Sequence, residues 1–179
     1  MKRMIMLVLL ISATLMGAMA QSSSDVRRAD KKARQVKTAA MVDSLVAEGR
    51  FAFVASRAVS MLPSKPYIML DGRDQFIVDK DKVTSQLPFY GRLYSAPTNA
   101  SIGPLSFTST DITYKILDNG NKKAQKTIKL DVRENNSTIP GASFVINIDI
   151  FGDASASLTV TMSSGSPSVY YGYIKAITD

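Results

Sequence analysis

The chain contains no cysteine, no histidine and no tryptophan in 179 residues. Each absence removes a class of chemistry. Without cysteine there is no disulfide scaffold, thiolate nucleophile, zinc ribbon or iron–sulfur ligation. Without histidine there is no Ser-His-Asp triad and no imidazole base. Nucleotide-binding glycine patterns are missing too: neither a G-x-G-x-x-G run nor a phosphate-binding loop with its Gly-Lys-Ser/Thr ending occurs. After residue 20 there is no S-x-x-K pair for a lysine-activated serine. No cofactor is implied. Hydrophobic residues make up 45% and charged residues 21%, which is enough apolar material for a folded domain.

The N-terminus reads as an export signal. Lys2 and Arg3 supply positive charge, and an apolar stretch from Met4 to Leu15 follows. Ala18-Met19-Ala20 then places small residues where a signal peptidase reads, so cleavage is expected before Gln21. The apolar run is short for a membrane span, which takes about 20 residues, so no transmembrane span is expected in the mature chain. Periplasm or cell envelope is the expected location. The 159 residues that follow carry 20 basic and 15 acidic side chains. This mild excess is short of a nucleic-acid footprint.

From Asp25 to Glu48 there is neither Pro nor Gly. Good helix formers and a 3/4 apolar spacing predict a helix, with Ser24 or Asp25 as N-cap and Gly49 as terminator. Its first half is dominated by Arg27, Arg28, Lys31, Lys32, Arg34 and Lys37, and is expected to be exposed or frayed. Its second half, with Met41, Val42, Leu45 and Val46, is expected to pack on the rest. The expected divisions are residues 1–20, a signal peptide; 21–48, a basic helix; and 49–179, a β domain.

Beyond Gly49 the period changes to two. Phe51, Phe53 and Ala55 alternate with Ala52, Val54 and Ser56; Ile128, Leu130 and Val132 with Lys129 and Asp131; Phe144, Ile146 and Ile148 with Val145 and Asn147; Leu158, Val160 and Met162 with Thr159 and Thr161. Asp71-Gly72, Asp118-Asn119-Gly120-Asn121 and Gly152-Asp153 read as turns. Phe89 to Tyr94 reads as a short aromatic strand and Ser95 to Pro104 as a loop. One apolar and one polar face per strand, with short connections, predict an antiparallel meander. Such a sheet protects its edges by closing into a barrel.

Three stretches carry a family resemblance. They are Arg50-Phe51-Ala52-Phe53-Val54-Ala55-Ser56-Arg57-Ala58, Leu87-Pro88-Phe89-Tyr90-Gly91-Arg92-Leu93-Tyr94 and Gly103-Pro104-Leu105-Ser106-Phe107. Tyr171-Gly172-Tyr173-Ile174 matches a closing element more loosely. Over about 130 residues the chain resembles a family of short exported proteins of Bacteroidetes, domain-of-unknown-function family 4251. The second stretch looks like that family's L-P-Y-F-G-R motif with its two aromatics exchanged. The resemblance implies a mainly β fold, a lipocalin-like barrel or half-barrel behind one N-terminal helix. It implies no activity and no catalytic residue.

The remaining polar residues suggest binding rather than catalysis. No two acids are placed as the facing pair a glycosidase needs, and no catalytic residue is assigned. Asp71, Asp74, Asp79 and Asp81 are close in sequence, but Lys80 and Lys82 interrupt them and no calcium-loop spacing results; no metal is expected. Tyr90, Arg92 and Tyr94, on one face of the expected strand, form the candidate ligand-binding set, since rings stack on flat ligands and a guanidinium forks onto a carboxylate. Asp43-Ser44-Leu45 resembles the short O-glycosylation signal of Bacteroidetes exported proteins, which makes Ser44 a candidate modification site. The sequence therefore favours an exported, non-enzymatic protein that binds a small ligand or an envelope protein. A structural protein docking by its basic helix and a carboxylate-based hydrolase are the alternatives.

Overall fold

The structure is a computed structural model of the chain. It describes residues 2–60, 64, 66–90, 105–117, 126–133, 143–163 and 165–177, with side chains from residue 25 onwards. The chain forms two compact units, Met1–Lys37 and Thr38–Asp179. Among the described residues one helix, α1 (Lys2–Glu48), is followed by ten strands. No helix among the described residues is long and apolar enough to cross a membrane.

The helix does not start at Ser24 or Asp25. It runs through them, because nothing between Lys2 and Glu48 other than Gly17 disfavours helix and three serines alone do not stop one. Residues 25–37 are exposed throughout. The last turns behave differently: Val42 and Val46 are buried in the main core. Gly49 ends the helix with φ 64°, its N–H donating to the Val46 carbonyl at 3.1 Å.

The strands are β1 (Arg50–Val59), β2 (Tyr67–Met69), β3 (Gln75–Asp79), β4 (Lys82–Leu87), β5 (Leu105–Ser109), β6 (Asp111–Leu117), β7 (Lys126–Arg133), β8 (Ser143–Ile150), β9 (Ser155–Met162) and β10 (Ser168–Lys175). All pairings are antiparallel, in the order β5-β4-β3-β1-β10-β9-β8-β7-β6. The first and last strands of the domain lie side by side, and the sheet curls into a barrel with one seam. The seam falls between β5 and β6, which follow one another across Thr110. The first of the two pairs with β4 and the second with β7. At this corner Ser109 Oγ donates to the Arg133 carbonyl at 2.6 Å and accepts the Asp111 N–H at 3.1 Å. One hydroxyl thus occupies backbone groups that the ladder leaves open where the strand changes partner.

The interior is filled. Phe51, Phe53, Phe76, Leu87, Leu130 and Ile148 have no accessible surface, and Phe107 stacks on Phe144 at 4.7 Å and 5°. Near the helix end, the Tyr114 hydroxyl donates to the Val46 carbonyl at 2.9 Å. Lys126 meets Asp43 at 2.8 Å. Both contacts hold the last helical turns on the β6–β7 side.

Asp71-Gly72, read as a turn, lies between two strands that do not pair with each other: Tyr67–Met69 and Gln75–Asp79 both pair with the same edge of β1, and residues 70–74 bulge out between them. The flanking backbone keeps its bonds: Leu70 N–H donates to Ser56 O and Ala55 N–H to Asp74 O, both at 2.9 Å. One strand expectation, Phe89 to Tyr94, needs correction. Phe89 and Tyr90 lie beyond the end of β4, outside any strand. Pro88 has no N–H to give a ladder, and its carbonyl is held instead by the Tyr170 hydroxyl at 2.5 Å.

Candidate functional site

Of the residues expected to bind a ligand, Tyr90 is placed, while Arg92 and Tyr94 lie outside the described residues, as do the Asn-Gly turn and the Ser95–Pro104 loop. Tyr90 and Phe89 are half-buried against the core. Since neither is in a strand, the alternation that put Tyr90 on a polar face does not operate there. Tyr90 instead belongs to a small polar group with Asp74 and Tyr170. Burial raises the Asp74 carboxyl above the usual carboxylate range, and the neighbouring Asp71 charge adds to it. Burial raises the Tyr90 phenol, with Asp74 adding to it. Tyr170 is fully buried and its phenol is pushed up mainly by that burial. With its hydroxyl tied to Pro88, Tyr170 reads as an anchor for the chain leaving β4.

A second constellation lies on the outer face of the barrel, and the sequence pattern hides it. Strict alternation along β1 from Phe51, Phe53 and Ala55 would point Arg57 into the core. A β-bulge between Ala55 and Arg57 resets the register. Ser56 and Arg57 are both exposed, and Ala58 takes the inward place. The bulge needs Gly172 on β10, because a Cβ there would lie 1.9 Å from the Val54 carbonyl oxygen. Ser56 Oγ donates to the Tyr171 carbonyl at 3.0 Å.

Turned outward, Arg57 faces Tyr171 on one side and Met69 on the other. Its guanidinium carbon is 4.8 Å from the Tyr171 ring centre and 5.1 Å from that of Tyr67. The two rings meet edge to face at 6.3 Å and 69°. Both contacts are within cation–π range, worth about 0.5–1 kcal/mol at an exposed site. Among the described residues no carboxylate pairs with this guanidinium. Met69 is 77% exposed and Tyr67 46% exposed. The signal that could have found this site is the arginine itself: a charge at an inward position of an apolar strand implies a bulge.

The other candidates are placed as follows. Asp79 pairs with Arg50 at 3.2 Å and Asp71 with Arg73 at 3.4 Å. No three acidic side chains among the described residues come together as a metal site. Ser44 sits exposed on the last part of α1 and donates to Glu48 Oε1 at 2.8 Å. Its neighbours are engaged: Asp43 with Lys126, and Leu45 against the core.

A search of curated proteins finds no match. Among solved structures, the chain is similar to the crystal structure of a DUF4251 family protein from Bacteroides eggerthii DSM 20697. The two share 17% identity and a TM-score of 0.47, over 79% of this chain and 91% of that one. The family model described as domain of unknown function (DUF4251) matches residues 33–174, a span that includes the helix end, every described strand apart from Lys175 at the end of β10, and both constellations. The chain belongs to the DUF4251 family.

Proposed function

We propose that this protein is exported to the cell envelope, is not an enzyme, and binds its ligand or partner on the outside of its barrel. The observation that carries the reading is the outward Arg57 group beside a filled interior. Among the described residues the core side chains leave little accessible surface for a guest molecule to line. The outer face, by contrast, holds a guanidinium clasped by two rings and joined to no carboxylate among the described residues. Export is supported by Lys2, Arg3, the apolar run and Ala18-Met19-Ala20. The non-enzymatic reading is supported by the lack of histidine and cysteine.

A photo-crosslinking residue tests the binding face in cells. Placed at Met69 it is expected to give a discrete adduct. Placed at Asn147, on the outer face of β8, it is not. Equal labelling at both positions, or none at either, overturns the reading. Intact mass on the envelope fraction tests export: the chain is expected to begin at Gln21, and a chain retaining Met1 in the cytoplasm overturns it.

One observation favours a second reading. Residues 25–37 are exposed throughout and carry six cations against Asp25 and Asp30. Docking by this basic helix on an envelope partner predicts that replacing Arg27, Arg28, Lys31 and Lys32 by Glu abolishes co-purification with the partner; unchanged co-purification removes it.

A further inference from the structure

We infer that the Arg57 group is a recognition site for an acidic saccharide, a sugar ring carrying a carboxylate. The inference rests on the outer-face reading above and names the ligand class.

Three features of the site specify that chemistry. The first is charge. A guanidinium presents five N–H donors in a flat fork that matches a carboxylate two-to-two. Ring stacking engages the face of the fork and leaves its N–H edge available. The group contains one cation, so it suits a singly charged carboxylate better than a dianionic phosphate. The second is surface. Tyr67 and Tyr171 meet at 69°, so the two rings present a bent aromatic wall with a polar hydroxyl on each. A pyranose has an apolar C–H face for such a ring and hydroxyls for its rim. Met69, opposite Arg57 in register and largely exposed, adds an adaptable apolar edge.

The third feature is what the backbone withholds. A peptide is commonly recognised by adding a strand to a sheet edge. At this site β1 is already paired on both sides, to β10 and to β2 and β3, and β10 is paired to β1 and β9; the open edge belongs to β2, whose three residues offer an added strand little to pair with. Recognition at Arg57 and Tyr171 therefore runs through side chains alone, and a compact ring with its own carboxylate satisfies them without main-chain bonds. The fold also commits structure to this arrangement. The bulge that turns Arg57 outward, the glycine that admits it and the segment 70–74 that loops out opposite Ser56 all occur at one level of three adjacent strands. Bulges are over-represented beside functional sites because they re-aim side chains.

The test titrates the purified full-length protein with trigalacturonic acid by calorimetry, with tyrosine ring resonances followed by NMR. The same trimer fully methyl-esterified and a short glutamate-rich peptide are the comparison probes. Trigalacturonic acid is expected to bind and to shift the Tyr67 and Tyr171 ring signals. The ester is expected to bind at least ten-fold more weakly. Arg57→Gln is expected to lose at least ten-fold in affinity with the melting temperature lowered by only a few degrees, the share of its two ring contacts. Tyr67→Ser, on the short strand β2, is expected to lose a similar factor and serves if Arg57→Gln disturbs the bulge. No binding of the acid, equal binding of the ester, or unaltered binding by both variants overturns the saccharide. If the glutamate peptide binds through Arg57 and the acid sugar does not, the ligand class falls while the outer-face reading stands. If no probe binds and Met69 gives no adduct in cells, both fall.

Discussion

Ser109 and Tyr114 each join parts of the molecule that the strand ladder does not. The Ser109 hydroxyl serves the Arg133 carbonyl and the Asp111 N–H at the barrel corner. Ser109→Ala takes that partner from both at a half-buried corner. A loss of about 1 kcal/mol is expected, read as a lower denaturant midpoint. A midpoint within error of the parent would mean that water takes over both bonds. Tyr114 holds the helix end through the Val46 carbonyl, and burial pushes its phenol up to about 12. The folded state thus holds this proton more tightly than the unfolded chain, where the phenol titrates near 10. Stability from Tyr114 is complete below pH ~10 and is lost as pH rises toward about 12. Tyr114→Phe should cost about 1 kcal/mol at neutral pH. The gap between the two proteins should close along the alkaline limb of a melting-temperature profile. A gap that stays constant to pH 11.5 would show that the phenol does not titrate with unfolding.

Among the elements, β1 and β10 carry the most specific demand, because their pairing tolerates no side chain at position 172. Gly172→Ala drives a methyl into the Val54 carbonyl, and about 3 kcal/mol of destabilisation is expected, the upper end for overpacking. The bulge should also shift, so the Tyr171 ring signal should move with Arg57 still present; an unmoved ring with parental stability would rule the demand out. The sequence announced β7, β8 and β9 plainly, since their inward positions are uninterrupted Ile, Leu, Val, Phe and Met. It was silent on β4 and β5 for a physical reason. Their inward rows include Ser85 and Ser109, polar groups made tolerable only by the Leu105 and Arg133 carbonyls, partners that a local pattern does not contain. The Arg57 site was missed for the same kind of reason, although the charge at an inward position hinted at a bulge. Alternation is a rule for regular strands, and here a bulge set by a distant glycine reverses it. The aromatic stretch after Leu87 misled in the opposite sense: Phe89 and Tyr90 have strand-like composition, but Pro88 and the Tyr170 hydroxyl end the strand before them.

For the whole molecule, the barrel closes around a filled core, the last turns of α1 are bound to it by Val42, Val46 and Tyr114, and its outer face displays the Arg57 group. The arrangement has a consequence in time. β1 is the first strand of the barrel to be synthesised and β10 the last, yet Ala52 pairs with Lys175 and Ala58 with Tyr170. A chain made from its N-terminus can pair β1 with β3, β3 with β4 and β4 with β5 early, but the other edge of β1 must wait for β10. The same strand supplies the second edge of β9, so two open edges vanish in one event. Pairing between such distant segments is slow, on the order of milliseconds to seconds. A chain ending at Met162 is expected to show no cooperative melt and to associate through its two bare edges. The Tyr171 half of the Arg57 clasp also arrives with that strand. The Arg57 clasp is thus assembled only in molecules whose synthesis has passed β10, and a chain lacking that strand has no Tyr171 ring to complete it.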